Sequence, residues 1–174
     1  GSKSKAKKAP PRVQLLGSGA ILNEVIAAAD ILVSDFAIHA DIWSVTSFNE
    51  LSREAQEVQR WNLLHPEKKP RISFVASQLK GRNGPVIAAT DYVKNYAEQI
   101  RREVATEYVT LGTDGFGRSD SRENLRKFFE VDRYFITLAA LKSLSDAGEI
   151  PTKTVTKAMK QFGISADKLN PARS

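Results

Sequence analysis

The chain has 174 residues, of which 41% are hydrophobic and 26% charged, a balance that fits one globular domain with a buried core. Cysteine is absent, which excludes disulfides, thiolate metal sites and thiol nucleophiles and suits a cytoplasmic location. No apolar run approaches the roughly 18 residues needed to span a bilayer, and the first residues lack the pattern of a signal peptide, so no membrane partner is predicted.

The formal net charge of +6 is unevenly distributed. Five cations and no acid precede Val13, which leaves +1 for the rest of the chain; these cations are Lys3, Lys5, Lys7, Lys8 and Arg12. Nucleic-acid binding needs a basic face that neutralises phosphates, and the body of the chain lacks a net excess. We therefore predict no nucleic-acid partner. Residues 1–11 are interpreted as a cloning scar, Gly1-Ser2, and a basic linker that is disordered unless packed.

The first half of the chain alternates between strand and helix patterns. Short apolar runs bounded by turn residues predict strands, and apolar residues spaced three and four apart predict helices. In chain order we predict a strand at 13–16, a turn at 17–19, a helix from 21 to 33, a strand at 40–45, a helix from 47 limited by Pro66, and a short helix at 71–80. Ser47 and Glu50 have capping-box spacing, which marks the start of the second helix.

The second half of the chain continues the alternation and then becomes helical. In order we predict a strand buried on both faces at 86–90, a polar-faced helix at 93–104, a strand at 108–111, a glycine turn at 112–117, a helix from the capping box of Asp120 and Glu123 through 129, a helix at 133–147 ended by Gly148, and a last helix between Pro151 and Gly163. This order predicts the α/β class, a three-layer, mostly parallel sheet flanked by helices, with extra helices at the carboxyl end.

The first glycine turn, Gly17-Ser18-Gly19, begins like a dinucleotide-binding fingerprint. Leu22 occupies the position of the third glycine, and no acid ends the second predicted strand to hold a ribose hydroxyl. A tight strand-to-helix turn is therefore the preferred interpretation. Weak phosphate binding at the helix amino terminus stays an alternative.

The second glycine turn, at 112–119, has the spacing of a phosphate-binding P-loop and lies between a predicted strand and helix. Arg118 stands where a lysine would reach the terminal phosphates, and Asp114 and Asp120 would place negative charge beside an anion. No strand carries a convincing acid for magnesium. A nucleotide site is therefore disfavoured here.

Other chemical motifs are incomplete. Thr113-Asp114-Gly115 resembles the start of a thiamine-diphosphate motif, but the paired asparagines that would complete its magnesium site are missing from 139–144. His39 and His65 have no second histidine at ligand spacing, and no Gly-x-Ser-x-Gly elbow occurs. We assign no catalytic, cofactor-binding or metal-binding residue.

One segment still predicts a function, because it places charges and an aromatic residue on a glycine-rich loop after the fourth strand. Open α/β sheets usually place function at this edge. The candidate interface residues are Asp114, Phe116, Gly117, Arg118, Ser119 and Asp120. In this interpretation Arg118 and the acids pair with another domain or subunit. An internal Arg-carboxylate pair or simple helix capping is the alternative.

This loop also carries a family resemblance. The string LGTDGFGRSD at 111–120, followed by Arg122-Glu123 and FFEVDR at 128–133, closely resembles the last domain of homodimeric pyruvate dehydrogenase decarboxylating components, which belong to the transketolase-like, thiamine-dependent group. The strings DIWSVTSFNEL, RWNLLHPE and ATDY, which start at 41, 60 and 89, agree in the same order. The resemblance covers residues 12–171, which we take as a single domain.

The resemblance implies a longer enzyme that decarboxylates pyruvate and reductively acetylates a lipoyl group. Its preceding domains hold thiamine diphosphate and magnesium, whereas the last domain supports the dimer and binds no cofactor directly. We therefore expect a structural and assembly domain, inactive alone, whose partners are the remaining domains, the second subunit and the acetyltransferase core. The alternatives are a docking module for another subunit or a regulator, and a small-ligand or phosphate-binding domain.

Overall fold

A computed structural model describes residues 9–113, 127 and 130–171. In this part of the chain, short apolar runs form one parallel sheet. Its strands are β1 (Arg12–Gly17), β2 (His39–Ser44), β3 (Val86–Ala89) and β4 (Tyr108–Leu111), in the order β2-β1-β3-β4. The chain moves outward from β1 to β2 and then crosses to β3 on the other side, so the strand order reverses between β1 and β3. Open α/β sheets place their crevices at such a reversal.

Helices cover both faces of the sheet. They are α1 (Leu22–Phe36), α2 (Phe48–Leu64), α3 (Phe74–Leu79), α4 (Lys94–Glu98), α5 (Arg133–Asp146) and α6 (Thr152–Phe162). One apolar cluster joins α1, α5 and α6 to one face, and a second joins α2, α3 and α4 to the other. The predicted three-layer α/β architecture, with additional helices at the carboxyl end, is confirmed. None of the described helices is both long and apolar enough to cross a membrane.

The two clusters follow from the side-chain alternation of strands. Ile87 and Ala89 contribute to the α1 side, whereas Val86 and Ala88 contribute to the α2 side. All four residues of β3 are buried, as its continuous apolar sequence predicts.

Local sequence explains where several helices begin and end. The Ser47 hydroxyl accepts the N–H of Glu50 at 3.2 Å, which confirms the predicted start of α2. Asp132 caps α5 through the N–H of Phe135, at 3.0 Å. Gly163 ends α6 with a φ of 65°, a backbone conformation that favours glycine.

The segment predicted as one helix at 93–104 differs from the prediction. It contains the short helix α4 and then a 3₁₀ turn at Arg101–Glu103. Ile100 is fully buried, and the Arg101 guanidinium donates to the carbonyl oxygen of Tyr108 at 2.8 Å. These tertiary contacts outweigh helix propensity, which is a weak preference.

The segment predicted as a helix at 71–80 is also shorter, because α3 begins only after Ser73. The Asn62 side chain holds the residues before it by bonding both the N–H and the carbonyl of Arg71, at 2.8 and 3.0 Å. The helix predicted from Asp120 through 129 lies outside the described residues, apart from Lys127.

Candidate functional site

The predicted interface loop begins at the carboxyl edge of the sheet. Its candidate residues Asp114, Phe116, Gly117, Arg118, Ser119 and Asp120 lie outside the described residues. The positions at which the chain leaves this edge and returns to the core are described. These positions therefore define how the fold holds the two ends of the segment.

The outgoing end is held beneath the loop that follows β3. The Thr113 N–H donates to the carbonyl oxygen of Tyr92 at 2.9 Å, and the Thr113 hydroxyl donates to that of Asp91. A Cβ at Gly112 would lie 2.6 Å from the Lys94 nitrogen and 2.7 Å from the Tyr92 oxygen. Only glycine fits, because both neighbours are backbone atoms.

Two buried hydroxyls connect the same edge across the strand reversal. Ser18 donates from its Oγ to the Oγ1 of Thr90 at 3.1 Å, and that oxygen also accepts the Tyr92 N–H at 3.1 Å. The Thr90 N–H donates to the carbonyl oxygen of Leu111 at 3.0 Å. Ser18 and Thr90 were not predicted as site residues, although each directly follows a buried strand at the edge where function is expected.

The returning end is held by an ion pair with α1. The Glu24 carboxylate accepts the backbone N–H of Arg133 at 2.8 Å and the guanidinium Nε at 3.1 Å. The Glu24 side chain is only 10% exposed. The preceding Val131 is fully buried, so the chain enters α5 at a fixed place. Sequence reasoning did not predict this pair, because its members lie 109 positions apart.

At the start of α5, burial and neighbouring charges shift the pKa values of two ionisable groups. Burial raises the pKa of Asp132, and the nearby Glu24 carboxylate raises it further, while the N–H of Phe135 opposes both effects. The hydrogen bonds to Glu24 raise the pKa of Arg133. The Asp132 carboxylate caps α5, and the Glu24 carboxylate accepts the backbone N–H of Arg133. Both carboxylates therefore stabilise the backbone at the start of α5.

A second network holds α4 against β4. The Arg101 guanidinium donates to Glu98 through Nε and Nη2 at 2.6 and 2.7 Å, and the Thr110 hydroxyl donates to Glu98 at 2.6 Å. Hydrogen bonding to Arg101 lowers the pKa of Glu98 most strongly. A carboxylate stabilised in its charged form is a poor general base at neutral pH.

The histidines lie apart from this edge of the sheet. His39 begins β2 and is exposed. His65 follows α2, stacks on Trp61 with ring centroids 4.2 Å apart, and donates from Nδ1 to the Trp61 carbonyl oxygen at 2.7 Å. No group of three or more metal-ligating side chains occurs within the described ranges.

In the described part of the chain, no cluster of three or more metal-ligating side chains is placed to hold the magnesium ion of thiamine diphosphate. Every buried side-chain nitrogen and oxygen in this part of the chain already has a hydrogen-bond partner. Gly17 itself is closely packed, because a Cβ there would lie 2.8 Å from the Cγ2 of Val25. Close packing of β1 on α1 therefore explains this glycine without a ligand.

Comparison with known proteins identifies relatives that are much longer. The chain is 59% identical to the "Pyruvate dehydrogenase E1 component" of Cupriavidus necator, over 92% of this chain and 18% of the relative. Identity to the protein of the same name is 59% in Pseudomonas aeruginosa, over 95% and 19%, and 52% in Escherichia coli, over 92% and 18%. The chain thus spans less than a fifth of these relatives, and it corresponds to their carboxy-terminal region.

Family and fold comparisons agree with that assignment. The solved structure named "Split gene transketolase, inactive beta4 tetramer" superposes with a TM-score of 0.57 at 16% identity, over 79% of this chain and 41% of that one. At this identity the likeness concerns the fold alone. Residues 2–132 match the family described as "Transketolase-like TK C-terminal domain". The chain therefore belongs to the transketolase C-terminal domain family and is homologous to the carboxy-terminal region of pyruvate dehydrogenase E1 components.

Proposed function

We propose that residues 12–171 form the single structural and assembly domain of a longer pyruvate dehydrogenase E1 chain, with residues 3–11 as its basic linker. The proposal rests on the long relatives, of which this chain spans less than a fifth. In the complete cytoplasmic enzyme, the other domains hold thiamine diphosphate and magnesium. That enzyme decarboxylates pyruvate and reductively acetylates lipoyl groups of the acetyltransferase core. The present domain contributes no bond-making group.

The structure adds a second observation in support of an interface role, because both described ends of the glycine-rich segment are held by backbone contacts. Gly112 and Thr113 fix the outgoing end through Tyr92, whereas Glu24 fixes the returning end through Arg133. The two described ends of the segment therefore have fixed positions relative to the sheet. Such a segment suits an interface with the other domains or with the second subunit of the homodimer.

Rigidity would matter because thiamine sites in this enzyme group lie between subunits. An error of about 1 Å in the position of reacting groups can cost two orders of magnitude in rate. A domain that limits this error supports turnover without touching the substrate. Arg118 and Asp120 then have the role of pairing across the interface.

The test is made in the full-length polypeptide that carries this domain. We expect Arg118→Ala and Asp120→Ala to weaken dimerisation by sedimentation velocity, with a parallel loss of turnover. Arg53→Ala is the matched control, because Arg53 is exposed and its ion pair among the described residues is the local one with Glu50 in α2. Unchanged sedimentation together with unchanged kinetics for both loop variants would refute the interface role.

A further inference from the structure

The end of α2 and the turn after it concentrate positive charge. We call residues 60–72 the basic tip. It contains Arg60, Lys68, Lys69 and Arg71 against the single acid Glu67, a net charge of +3. All residues after Arg12 together carry only +1, so the rest of the folded body is net negative. All four cations are exposed.

Side-chain contacts hold the basic tip in one shape. The Arg71 guanidinium carbon lies 3.7 Å from the centroid of the Trp61 ring, and the His65 ring stacks on Trp61 at 4.2 Å. One ring face has no room for both groups at these distances, so Trp61 lies between them. The two hydrogen bonds between the Asn62 side chain and the Arg71 backbone close the turn. A preorganised surface loses little entropy on binding.

The same tip exposes large apolar side chains. Leu63 is 76% exposed, Leu64 54% and Ile72 56%. Leu63 and Ile72 each follow a member of the Asn62–Arg71 pair, so the backbone of the two segments is close there. Grouped exposed apolar residues next to arginine and tryptophan have the composition of a protein interface.

We propose that the basic tip binds an acidic amphipathic helix of a partner polypeptide, a role beyond the assembly function proposed above. Carboxylates of the helix would meet Arg60, Lys68 and Lys69, and its apolar side chains would cover Leu63, Leu64 and Ile72. A second copy of the tip is a poor occupant, because it would bring like charges together. A purely polar polyanion would leave the leucines in water.

The test uses this chain and a fluorescein-labelled helical peptide that carries leucines at i, i+4 spacing flanked by glutamates. Fluorescence anisotropy at low and moderate salt gives the Kd. We expect Lys68→Glu with Lys69→Glu, and separately Leu63→Ser with Leu64→Ser, to raise the Kd about tenfold. The matched controls are Lys153→Glu with Lys157→Glu, and Leu169→Ser, which change exposed residues outside the tip. Circular dichroism verifies the fold of each variant.

Support requires binding that weakens with salt, is lost when the peptide's glutamates are replaced by lysines, and responds to both tip variants but not to the controls. The proposal is overturned if the acidic peptide does not bind. Tip variants that bind the acidic peptide with the same Kd as the unsubstituted chain would also overturn it. Cosedimentation of the chain with phosphatidylglycerol vesicles in preference to the peptide would instead identify a membrane surface as the target.

Discussion

Glu24 on α1 and Arg133 at the start of α5 form the longest-range ion pair among the described residues. The carboxylate accepts the Arg133 backbone N–H at 2.8 Å, Nε at 3.1 Å and Nη2 at 3.3 Å. The Glu24 side chain is 10% exposed and that of Arg133 44%. This contact fixes the place at which the chain re-enters the core after the glycine-rich segment.

Removing the guanidinium should therefore destabilise the fold. Arg133→Met removes the guanidinium hydrogen bonds to the mostly buried Glu24 carboxylate, and we expect a loss of about 2 kcal/mol in the free energy of unfolding. Urea denaturation measures the change. The control Arg53→Met breaks a pair whose side chains are 67% and 65% exposed, and should cost no more than about 0.5 kcal/mol. Equal urea midpoints for Arg133→Met and Arg53→Met would mean that the pair of Glu24 and Arg133 stabilises the fold no more than an exposed surface pair does.

Any side chain at Gly112 should destabilise the fold for steric reasons. An alanine Cβ would lie 2.6 Å from the Lys94 nitrogen and 2.7 Å from the Tyr92 oxygen, so the backbone must move. We expect Gly112→Ala to lower the free energy of unfolding by about 2–3 kcal/mol. In Gly19→Ala nothing lies within 4 Å of the new Cβ and only the φ of +60° is unfavourable, which costs about 1 kcal/mol. Denaturation midpoints in the reverse order would contradict the steric argument.

Asp132 should make stability fall as the pH rises. Burial raises its pKa above the ordinary value of 3.8, so the folded state binds the proton more tightly than the unfolded state. The resulting stabilisation is present below 3.8 and is lost as the pH rises through the raised pKa. Asp132→Asn keeps a capping oxygen for Phe135 without the charge, and we expect it to be at least as stable as the unsubstituted chain at neutral pH.

Urea denaturation across the acid range tests this sign, since any advantage of Asp132→Asn should shrink as the pH falls through the raised pKa of Asp132 towards 3.8, and should not change further below it. Asp132→Ala is the control for the cap itself and should lose about 1 kcal/mol at either pH. A lower stability of Asp132→Asn than of the unsubstituted chain at neutral pH would show that the ionised carboxylate is favourable in the folded state, contrary to this prediction.

The strands could be predicted because their signals are local. The apolar runs of β1 and β3 and the turn residues around them appear in the sequence itself, and β4 was predicted at its observed bounds. The broken helix after Lys94 could not be predicted. Its cause is the contact between Arg101 and the Tyr108 carbonyl, which depends on where β4 lies in the folded chain.

At the candidate site, too, the local signals could be predicted from the sequence and the long-range contacts could not. The glycine spacing and the carboxyl edge of β4 identified the place at which the loop leaves the sheet. The residues that hold its ends were not identified, because Tyr92 acts through a carbonyl group that every residue possesses. Glu24 likewise resembled any acid on the first turn of a helix, and only the folded chain brings it to Arg133.

Glu98 should show a pH dependence opposite to that of Asp132. Hydrogen bonds from Arg101 lower its pKa below 4.5, so the folded state favours the charged form. The stabilisation is present above 4.5 and is lost as the pH falls through the lowered pKa. Glu98→Gln should therefore cost about 1 kcal/mol at neutral pH, and the difference from the unsubstituted chain should shrink in acid. Glu57→Gln, on the exposed face of α2, is the matched control for removing one negative charge. A difference for Glu98→Gln that grows as the pH falls would show that the carboxylate is not held in its charged form by Arg101 and Thr110.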